Sequence, residues 1–189
     1  MLAGRTIIVG PSGGVAANYL AELIGRLRFR YMALVHAVMT PAAARFVSPL
    51  TVAAASGTRV WTDIFADAAL DPLAHIHLAR MAEFVLVAPA SFDFIGKIAA
   101  GLANDPVSLL IAATTAPVLF APAMHDTIWK NPIVQANMSA LKDVGYRFIP
   151  PETGLQATGK VGEGRMAGIN ATLSALLTLV KDYSNDSES

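Results

Sequence analysis

Residues able to bind an anion follow the first apolar run of the chain, Arg5-Thr6-Ile7-Ile8-Val9. The segment Ser12-Gly13-Gly14-Val15 places a hydroxyl and two glycines just before a helical pattern. Unhindered backbone N–H groups at such a helix start can bind a phosphate. The spacing matches neither Gly-x-Gly-x-x-Gly nor a P-loop. The sequence therefore predicts a phosphate site unlike the usual NAD and ATP loops, although the same glycines also suit any tight strand-to-helix turn.

A second polar segment, Ala123 to Asn131, follows the apolar run Val118 to Phe120. Open α/β sheets present a binding loop in this way, with polar residues between the end of a strand and the next helix. The alternative is a plain strand, turn and helix start in which Asp126 is an ordinary N-cap. The first interpretation places a binding site at the carboxyl edge of the sheet.

The chain has no cysteine and four histidines, His36, His75, His77 and His125. Without cysteine, disulfides, thiolate metal ligands and a thiol reductant within the chain are excluded. No His pair has i, i+4 spacing on a predicted helix and no HExxH pattern occurs, so we predict no metal site. An imidazole has an ordinary pKa near 6.5 and can move a proton near neutral pH. By itself, however, His75 is more typical of a capping or packing residue.

Apolar runs alternate with helical patterns along the chain. The uninterrupted run Phe84 to Ala88 indicates a strand covered on both faces, as in parallel sheets. Strands are also predicted at Arg5–Val9, Tyr31–Met39, Val118–Phe120 and Tyr146–Ile149. Helices are predicted after Gly14 and at Pro41–Phe46, Ile95–Ala103, Pro106–Ala113, Ile133–Val144 and Ile169–Tyr183. We predict an α/β, Rossmann-like (flavodoxin-like) doubly wound parallel sheet in three α/β/α layers.

Composition narrows the function classes. With 189 residues, 54% hydrophobic and 15% charged, the chain suits one domain, predicted at 1–183, followed by a polar tail at 184–189 predicted to be disordered. A mean hydropathy of +0.49 predicts that other subunits cover part of the surface. The net charge of +0 without a basic cluster argues against nucleic acid. Neither a membrane span nor a signal peptide is predicted, so we expect a cytoplasmic protein.

Four motifs occur in a fixed order: His75-Ile76-His77-Leu78, Ala88-Pro89-Ala90-Ser91-Phe92-Asp93-Phe94, Pro122-Ala123-Met124-His125 with Trp129, and Ala157-Thr158-Gly159 through Met166. They resemble the His-Ile-x-Leu, Ala-Pro-Ala-Ser-Ala-Asn-Thr, Pro-x-Met-Asn-x-x-Met-Trp and Ala-Cys-Gly-x-x-Gly-x-Gly-x-Met motifs of one family. That family is the homo-oligomeric flavin-containing cysteine decarboxylases. Its members include phosphopantothenoylcysteine decarboxylase and the lantibiotic peptidyl-cysteine decarboxylases. The resemblance covers nearly the whole predicted domain.

The resemblance implies a flavin cofactor, FMN in preference to FAD. Its expected contacts are Ser12, Gly13, Gly14, Val15, Thr40, Ser91, Phe92, Asp93, Phe94 and Ala123. Gly14 stands where the family has Ser, so Ser12 or Ser91 is expected to supply the missing phosphate hydrogen bond. Asp93 stands where the family has Asn. A carboxylate beside a phosphate is repulsive unless it points to ribityl hydroxyls or a backbone N–H.

The resemblance also implies the catalytic and substrate-binding residues. His75 is expected to transfer the proton beside the flavin. His125 replaces the family's Asn, which holds the substrate carboxylate, and a His can still donate to a carboxylate. Met124 and Trp129 are expected to form the apolar side of the substrate pocket, although Trp129 could equally be a core residue. Thr158 and Met166 belong to a Gly-rich segment expected to be a mobile lid or a surface turn.

Thr158 stands where phosphopantothenoylcysteine decarboxylases carry the Cys that reduces the enethiol intermediate. The missing thiol favours release of an oxidised product. We therefore predict an FMN-dependent peptidyl-cysteine decarboxylase that converts a C-terminal Cys of a ribosomal precursor peptide to an aminoenethiol, within a homotrimer or homododecamer. The alternatives are a phosphopantothenoylcysteine decarboxylase that uses an external reductant, a flavin prenyltransferase, and a non-catalytic regulatory subunit, against which the retention of His75 argues.

Overall fold

A parallel sheet forms the centre of the molecule. The computed structural model describes residues 1–186, and within them six strands form this sheet: β1 Thr6–Val9, β2 Leu34–Val38, β3 Val60–Trp61, β4 Phe84–Ala90, β5 Val118–Pro122 and β6 Arg147–Phe148. Their order is β3-β2-β1-β4-β5-β6, and every neighbouring pair is parallel. This is the order of a doubly wound Rossmann sheet, so the predicted fold class is confirmed.

The central strands are covered on both faces. All residues of β4 and β5 are buried, which explains why their sequences are apolar without polar alternation. Within β1, Ile8 lies opposite His36 of β2 on one side and Val85 of β4 on the other. Because the strand order changes direction between β1 and β4, their carboxyl ends flank the crevice where open α/β sheets bind ligands.

Helices connect the strands within the described residues. They are α1 Leu20–Gly25, α2 Pro49–Ser56, α3 Ile64–Ala68, α4 Ala74–Met81, α5 Phe92–Ala99, α6 Pro106–Ala113, α7 Asp126–Trp129, α8 Pro132–Asp143 and α9 Ile169–Asp186. A 3₁₀ turn, Val15–Tyr19, leads into α1, and a π-helical turn, Arg26–Arg30, follows it. Another 3₁₀ turn spans Ala43–Arg45.

Two apolar cores lie on opposite faces of the sheet. One contains Leu23 of α1 and Leu176 of α9, both fully buried. The other contains Phe94 of α5, Leu110 of α6 and Val134 of α8. Each fully buried side chain of this size contributes roughly 1.5–3 kcal/mol relative to exposure. The two cores confirm the predicted three-layer α/β/α arrangement.

The structure adds elements that the sequence pattern did not predict. The short elements α2, β3 and α3 lie between β2 and α4. The segment predicted as a lid or a surface turn contains an antiparallel hairpin of β7 Glu152–Leu155 and β8 Val161–Arg165. Helix α9 continues to Asp186, inside the segment predicted to be a disordered tail, and residues 187–189 lie outside the described part of the chain. Within residues 1–186, every helix is too short or too polar to cross a membrane.

Candidate functional site

Three loops meet at the carboxyl edge of the sheet. The Ser12 hydroxyl, after β1, donates to the Pro89 carbonyl at 2.9 Å and accepts from the Ser91 N–H at 2.7 Å. The Thr40 N–H, after β2, donates to the Pro11 carbonyl at 3.2 Å. Ser12 and Thr40 are 2% and 4% exposed. Because these bonds are shielded from water, they fix the three loops relative to one another.

The three loops line a cavity of about 510 Å³, which we call the edge cavity. Its volume is typical of small-molecule sites, which span roughly 300–1,000 Å³. It brings together many of the residues that the sequence predicts to contact the cofactor or substrate: Ser12, Gly13, Thr40, Ser91, Phe92, Asp93, Phe94, Ala123 and Met124. Loops far apart in sequence thus form one site.

The two glycines after β1 serve different purposes. A Cβ at Gly13 would lie 2.7 Å from the Cβ of Ala42, so only Gly allows the first loop to approach the second. A Cβ at Gly14 would meet no atom within 4 Å, and the extended backbone at Gly14, with φ 170°, suits any residue. Gly14 therefore leaves backbone atoms open to a ligand, and packing does not forbid the Ser that the resembled family has there.

The hydroxyl groups of the edge cavity differ in whether their protons are free to donate to a ligand. The Ser12 hydroxyl donates its proton to the Pro89 carbonyl. The Thr40 hydroxyl accepts from the Ala43 N–H at 3.0 Å and lies 3.4 Å from the Pro11 carbonyl. The Ser91 hydroxyl caps α5 by accepting from the Phe94 N–H at 3.3 Å, and its proton has no acceptor among residues 1–186. Of the two serines expected to compensate for Gly14, only Ser91 has a hydroxyl proton free to donate.

Two charged residues that the sequence analysis did not identify also line the edge cavity. The Lys97 ammonium lies 2.7 Å from Oδ2 of Asp105, which is 4% exposed. Asp105 also caps α6 by accepting from the N–H groups of Val107 and Ser108. The i, i+4 spacing of Asp93 and Lys97 could have indicated that both face one side of a helix. Since Asp105 neutralises Lys97, the cavity gains little net positive charge from it.

A second cavity of about 500 Å³, which we call the hairpin cavity, lies between the turn after Gly14 and the β7–β8 hairpin. The residues predicted for the site that line it are Gly14, Val15, Ala123, Met124, His125 and Met166. It shares Ala123 and Met124 with the edge cavity. The end of β5 therefore separates two adjoining cavities that could hold two different molecules.

Gly164 fixes the hairpin against this site. The Met124 N–H donates to the Gly164 carbonyl at 2.9 Å. Gly164 has φ +114°, and a Cβ there would lie 2.5 Å from the Met124 carbonyl oxygen. Both the backbone conformation and the close contact require glycine at this position. The hairpin is thus a packed wall of the site rather than a detached loop.

His125 is held at the start of α7. Its Nδ1 lies 2.9 Å from the Thr127 hydroxyl and 2.9 Å from Oδ1 of Asp126. The side chain is half-buried and lines the hairpin cavity. These contacts occupy Nδ1, so Nε2 is the ring nitrogen that can meet a ligand.

Trp129 and Thr158 do not line either cavity in the part of the chain that the structure describes. Trp129 packs against the core formed with α5, α6 and α8, and Thr158 is exposed in the turn of the hairpin. Their substrate-binding roles stay predictions.

His75 lies in a separate cavity of about 240 Å³, which we call the His75 cavity. It is the second residue of α4 and half-buried, and its neighbours include Trp61, Phe65 and Leu78. His77 instead contacts Asp71, with Nδ1 and Oδ2 2.8 Å apart, and this hydrogen bond lowers the pKa of Asp71. Within one copy of the described chain, His75 therefore does not line the cavities that contain the other predicted site residues.

The architecture and these loops agree with comparisons to known proteins. The chain belongs to the Flavoprotein family, which matches residues 1–181. This membership confirms the predicted flavin cofactor at the level of the family. The motif that lines the edge cavity and the loop that presents His125 both lie inside the matched region.

Two curated relatives with high identity to this chain carry the same name. The chain is 42% identical over 175 residues to the coenzyme A biosynthesis bifunctional protein CoaBC of Haemophilus influenzae, covering 93% of this chain and 44% of the relative. It is 47% identical over 165 residues to the protein of that name from Vibrio cholerae, covering 87% of this chain and 41% of the relative. The chain thus spans less than half the length of these relatives.

Solved structures share the fold. One is a mutant PPC decarboxylase complexed with pantothenoylaminoethenethiol, with a TM-score of 0.83 and 30% identity over 94% of this chain and 99% of that chain. Another is the FMN-dependent cysteine decarboxylase SpaF, with a TM-score of 0.76 and 25% identity over 93% and 99% of the two chains. Both of these structural neighbours are named decarboxylases.

The predicted peptidyl-cysteine activity is wrong. Relatives at 42% and 47% identity over most of this chain carry the name of a coenzyme A biosynthesis protein. The prediction relied on the absence of a thiol at Thr158, but a missing side chain bears on how a reaction is completed and not on which substrate is bound.

Proposed function

We propose that this chain catalyses the FMN-dependent decarboxylation of phosphopantothenoylcysteine, a step of coenzyme A synthesis. The observation that carries the proposal is the 47% identity to a coenzyme A biosynthesis protein over 87% of the chain. The similar fold of a PPC decarboxylase complexed with pantothenoylaminoethenethiol supports the same substrate class. The two adjoining cavities offer separate room for a cofactor and a substrate.

FMN fits the donors of the edge cavity. The Ser91 hydroxyl lines the edge cavity together with Thr40 and Asp93, and the open backbone at Gly14 borders the adjoining hairpin cavity. Both groups can donate to phosphate oxygens. A bound FMN would supply an acceptor for two electrons. Because Lys97 is already paired with Asp105, we assign the recognition of the FMN phosphate to hydroxyl and backbone groups rather than to a free cation.

We assign the substrate cysteine to the end of β5. There His125 would donate from Nε2 to the substrate carboxylate, while Met124 supplies an apolar contact beside it. The hairpin, held by the hydrogen bond between Met124 and Gly164, would limit the access of water. These residues orient the carboxylate so that it leaves as CO₂ when the electrons of the cysteine side chain are withdrawn.

His75 would act in a homo-oligomer, on the site of a neighbouring copy. The rim of the His75 cavity includes Phe65, which is 87% exposed, and Leu70 and Leu73 nearby are 65% and 52% exposed. Apolar side chains exposed together favour burial against another subunit. If a second copy covered this face, His75 would lie near the edge and hairpin cavities of that copy. There His75 would transfer a proton.

The saturated thiol product requires that the two electrons withdrawn from the substrate return to it. The chain has no cysteine, so none of its own side chains can supply a thiol. We propose that these two electrons would return from the flavin and that an external thiol would donate the accompanying proton. Without such a thiol, the product released would be the enethiol, the class of compound bound to the mutant PPC decarboxylase. The two electrons would then remain with the flavin, and dioxygen would have to remove them before a further turnover.

Mass spectrometry of the product tests this proposal. The FMN-loaded protein is incubated with phosphopantothenoylcysteine, with and without dithiothreitol. We expect a loss of about 44 Da, that of CO₂, with the thiol, and of about 46 Da, that of CO₂ and two hydrogens, without it. The His75→Asn variant should load FMN but form little of either product. If the substrate remains intact under both conditions, the proposed function is wrong.

A further inference from the structure

A third cavity continues the hairpin cavity on the side away from the edge cavity. It has a volume of about 490 Å³ and lies between α1, the start of α9 and the hairpin, and we call it the α9 cavity. It shares Tyr19, Arg165 and Met166 with the hairpin cavity. The edge, hairpin and α9 cavities therefore follow one another across the carboxyl edge of the sheet.

Arg165 stands where the hairpin and α9 cavities meet. It is the one Lys or Arg that lines the hairpin cavity in the described chain. Its side chain lies against Gly154, where a Cβ would be 2.9 Å from Cδ and 3.0 Å from a guanidinium nitrogen. Gly154 on β7 thus makes room for the Arg165 side chain of β8, and the guanidinium keeps access to both cavities.

Within residues 1–186, no carboxylate neutralises Arg165. Its cross-strand partner is Glu152, but the Glu152 carboxylate accepts from the Gly168 N–H at 2.9 Å and makes no ion pair with Arg165. The other cation of the α9 cavity, Arg26, is bound to Glu22 and Asn170, each at 2.6 Å. The α9 cavity therefore has two acidic and two basic residues, of which Arg165 is the cation left available to a ligand.

We infer that Arg165 binds the phosphomonoester of the substrate and makes the enzyme select phosphorylated over unphosphorylated pantothenoylcysteine. This inference rests on the proposed function. The substrate has its reacting cysteine at one end and its phosphate at the other. His125 lines the hairpin cavity alone, whereas Arg165 lines both the hairpin cavity and the α9 cavity that continues it. A guanidinium binds a phosphate through two parallel hydrogen bonds, which a neutral hydroxyl at that end of the substrate cannot match.

Steady-state kinetics with two substrates test the inference. Wild type and Arg165→Gln are compared on phosphopantothenoylcysteine and on pantothenoylcysteine, with dithiothreitol present. For the variant we expect kcat/KM on the phosphorylated substrate to fall on the order of 10- to 100-fold, mainly through KM, with little change on the other substrate. Arg165→Lys should restore part of the loss. Lys160→Gln removes an exposed cation of the same hairpin outside all three cavities and should change neither value.

FMN content and thermal midpoint are measured for each variant, so that a folding defect is recognised. An equal loss on both substrates, or no loss on either, overturns the role of Arg165. If wild type decarboxylates both substrates equally well, the proposed function stands and the inference falls. If wild type decarboxylates neither, the proposed function itself is wrong, and the inference falls with it.

Discussion

The N–H of Met124 donates a 2.9 Å hydrogen bond to the carbonyl oxygen of Gly164. This bond joins the segment after β5, where the predicted substrate contacts begin, to strand β8 of the β7–β8 hairpin. A segment that the sequence indicates only as Gly-rich is thereby fixed as a wall of the hairpin cavity. The position of the hairpin depends on a glycine that no other residue can replace without strain.

Gly164→Ala should therefore damage the site. A Cβ at this φ of +114° would approach the Met124 carbonyl oxygen to 2.5 Å, and we expect a loss of roughly 2 kcal/mol in unfolding free energy. KM for the substrate should rise because the hairpin shifts. Gly159→Ala is the matched control: its φ is also positive, but a Cβ there meets no atom within 4 Å. Equal effects of the two variants on KM would contradict this account.

Replacement of His125 should separate two roles of this residue. His125→Ala removes both the donor to the substrate carboxylate and the side chain that caps α7, so kcat/KM should fall roughly 10- to 100-fold. His125→Asn keeps a donor and a favourable capping residue, and its loss should stay below about tenfold. Steady-state kinetics and thermal unfolding check both variants. An Asn variant as poor as the Ala variant would show that the imidazole itself is required.

Ser12→Ala should loosen the loops that form the edge cavity. The change leaves the partly buried N–H of Ser91 without its acceptor at 2.7 Å, which costs about 1–3 kcal/mol. We expect weaker FMN binding, measured as the Kd from flavin fluorescence quenching, together with a lower midpoint of chemical unfolding. Ser139→Ala on the exposed face of α8 is the control and should change neither quantity. Unchanged FMN affinity of the Ser12 variant would place the cofactor elsewhere.

Glu83 should make stability depend on pH in the acidic range. Burial opposes the ionisation of Glu83, but hydrogen bonds from Arg5 and from the Thr6 N–H outweigh it and lower its pKa below 4.5. The ionised carboxylate therefore stabilises the fold above pH 4.5, and this contribution is lost as the pH falls through the lowered pKa.

Because the Glu83 pair is partly exposed, Glu83→Gln should cost at most about 1 kcal/mol at neutral pH. The difference from wild type should disappear at an acidic pH below the lowered pKa of Glu83. Unfolding by urea at both pH values measures it. A difference that grows on acidification would refute the assignment.

The sequence was sufficient to predict the sheet because β4 and β5 are apolar at every buried position but for their prolines. It also predicted the loops of the edge cavity, because the carboxyl ends of parallel strands meet at one edge. The Lys97–Asp105 ion pair was not predicted, since it depends on how the end of α5 packs beside the start of α6. The position of His75 depends in the same way on the packing of α4. The substrate was assigned wrongly because Thr158, used as the deciding residue, is exposed and lines neither cavity.

The rate of CO₂ release from carboxyl-labelled substrates tests the central claim most directly. The FMN-loaded protein is given either phosphopantothenoylcysteine or a peptide that ends in cysteine, at equal concentration and with dithiothreitol present. Our account predicts rapid release from phosphopantothenoylcysteine and release near background from the peptide. Release from the peptide alone, or from neither compound, would contradict it.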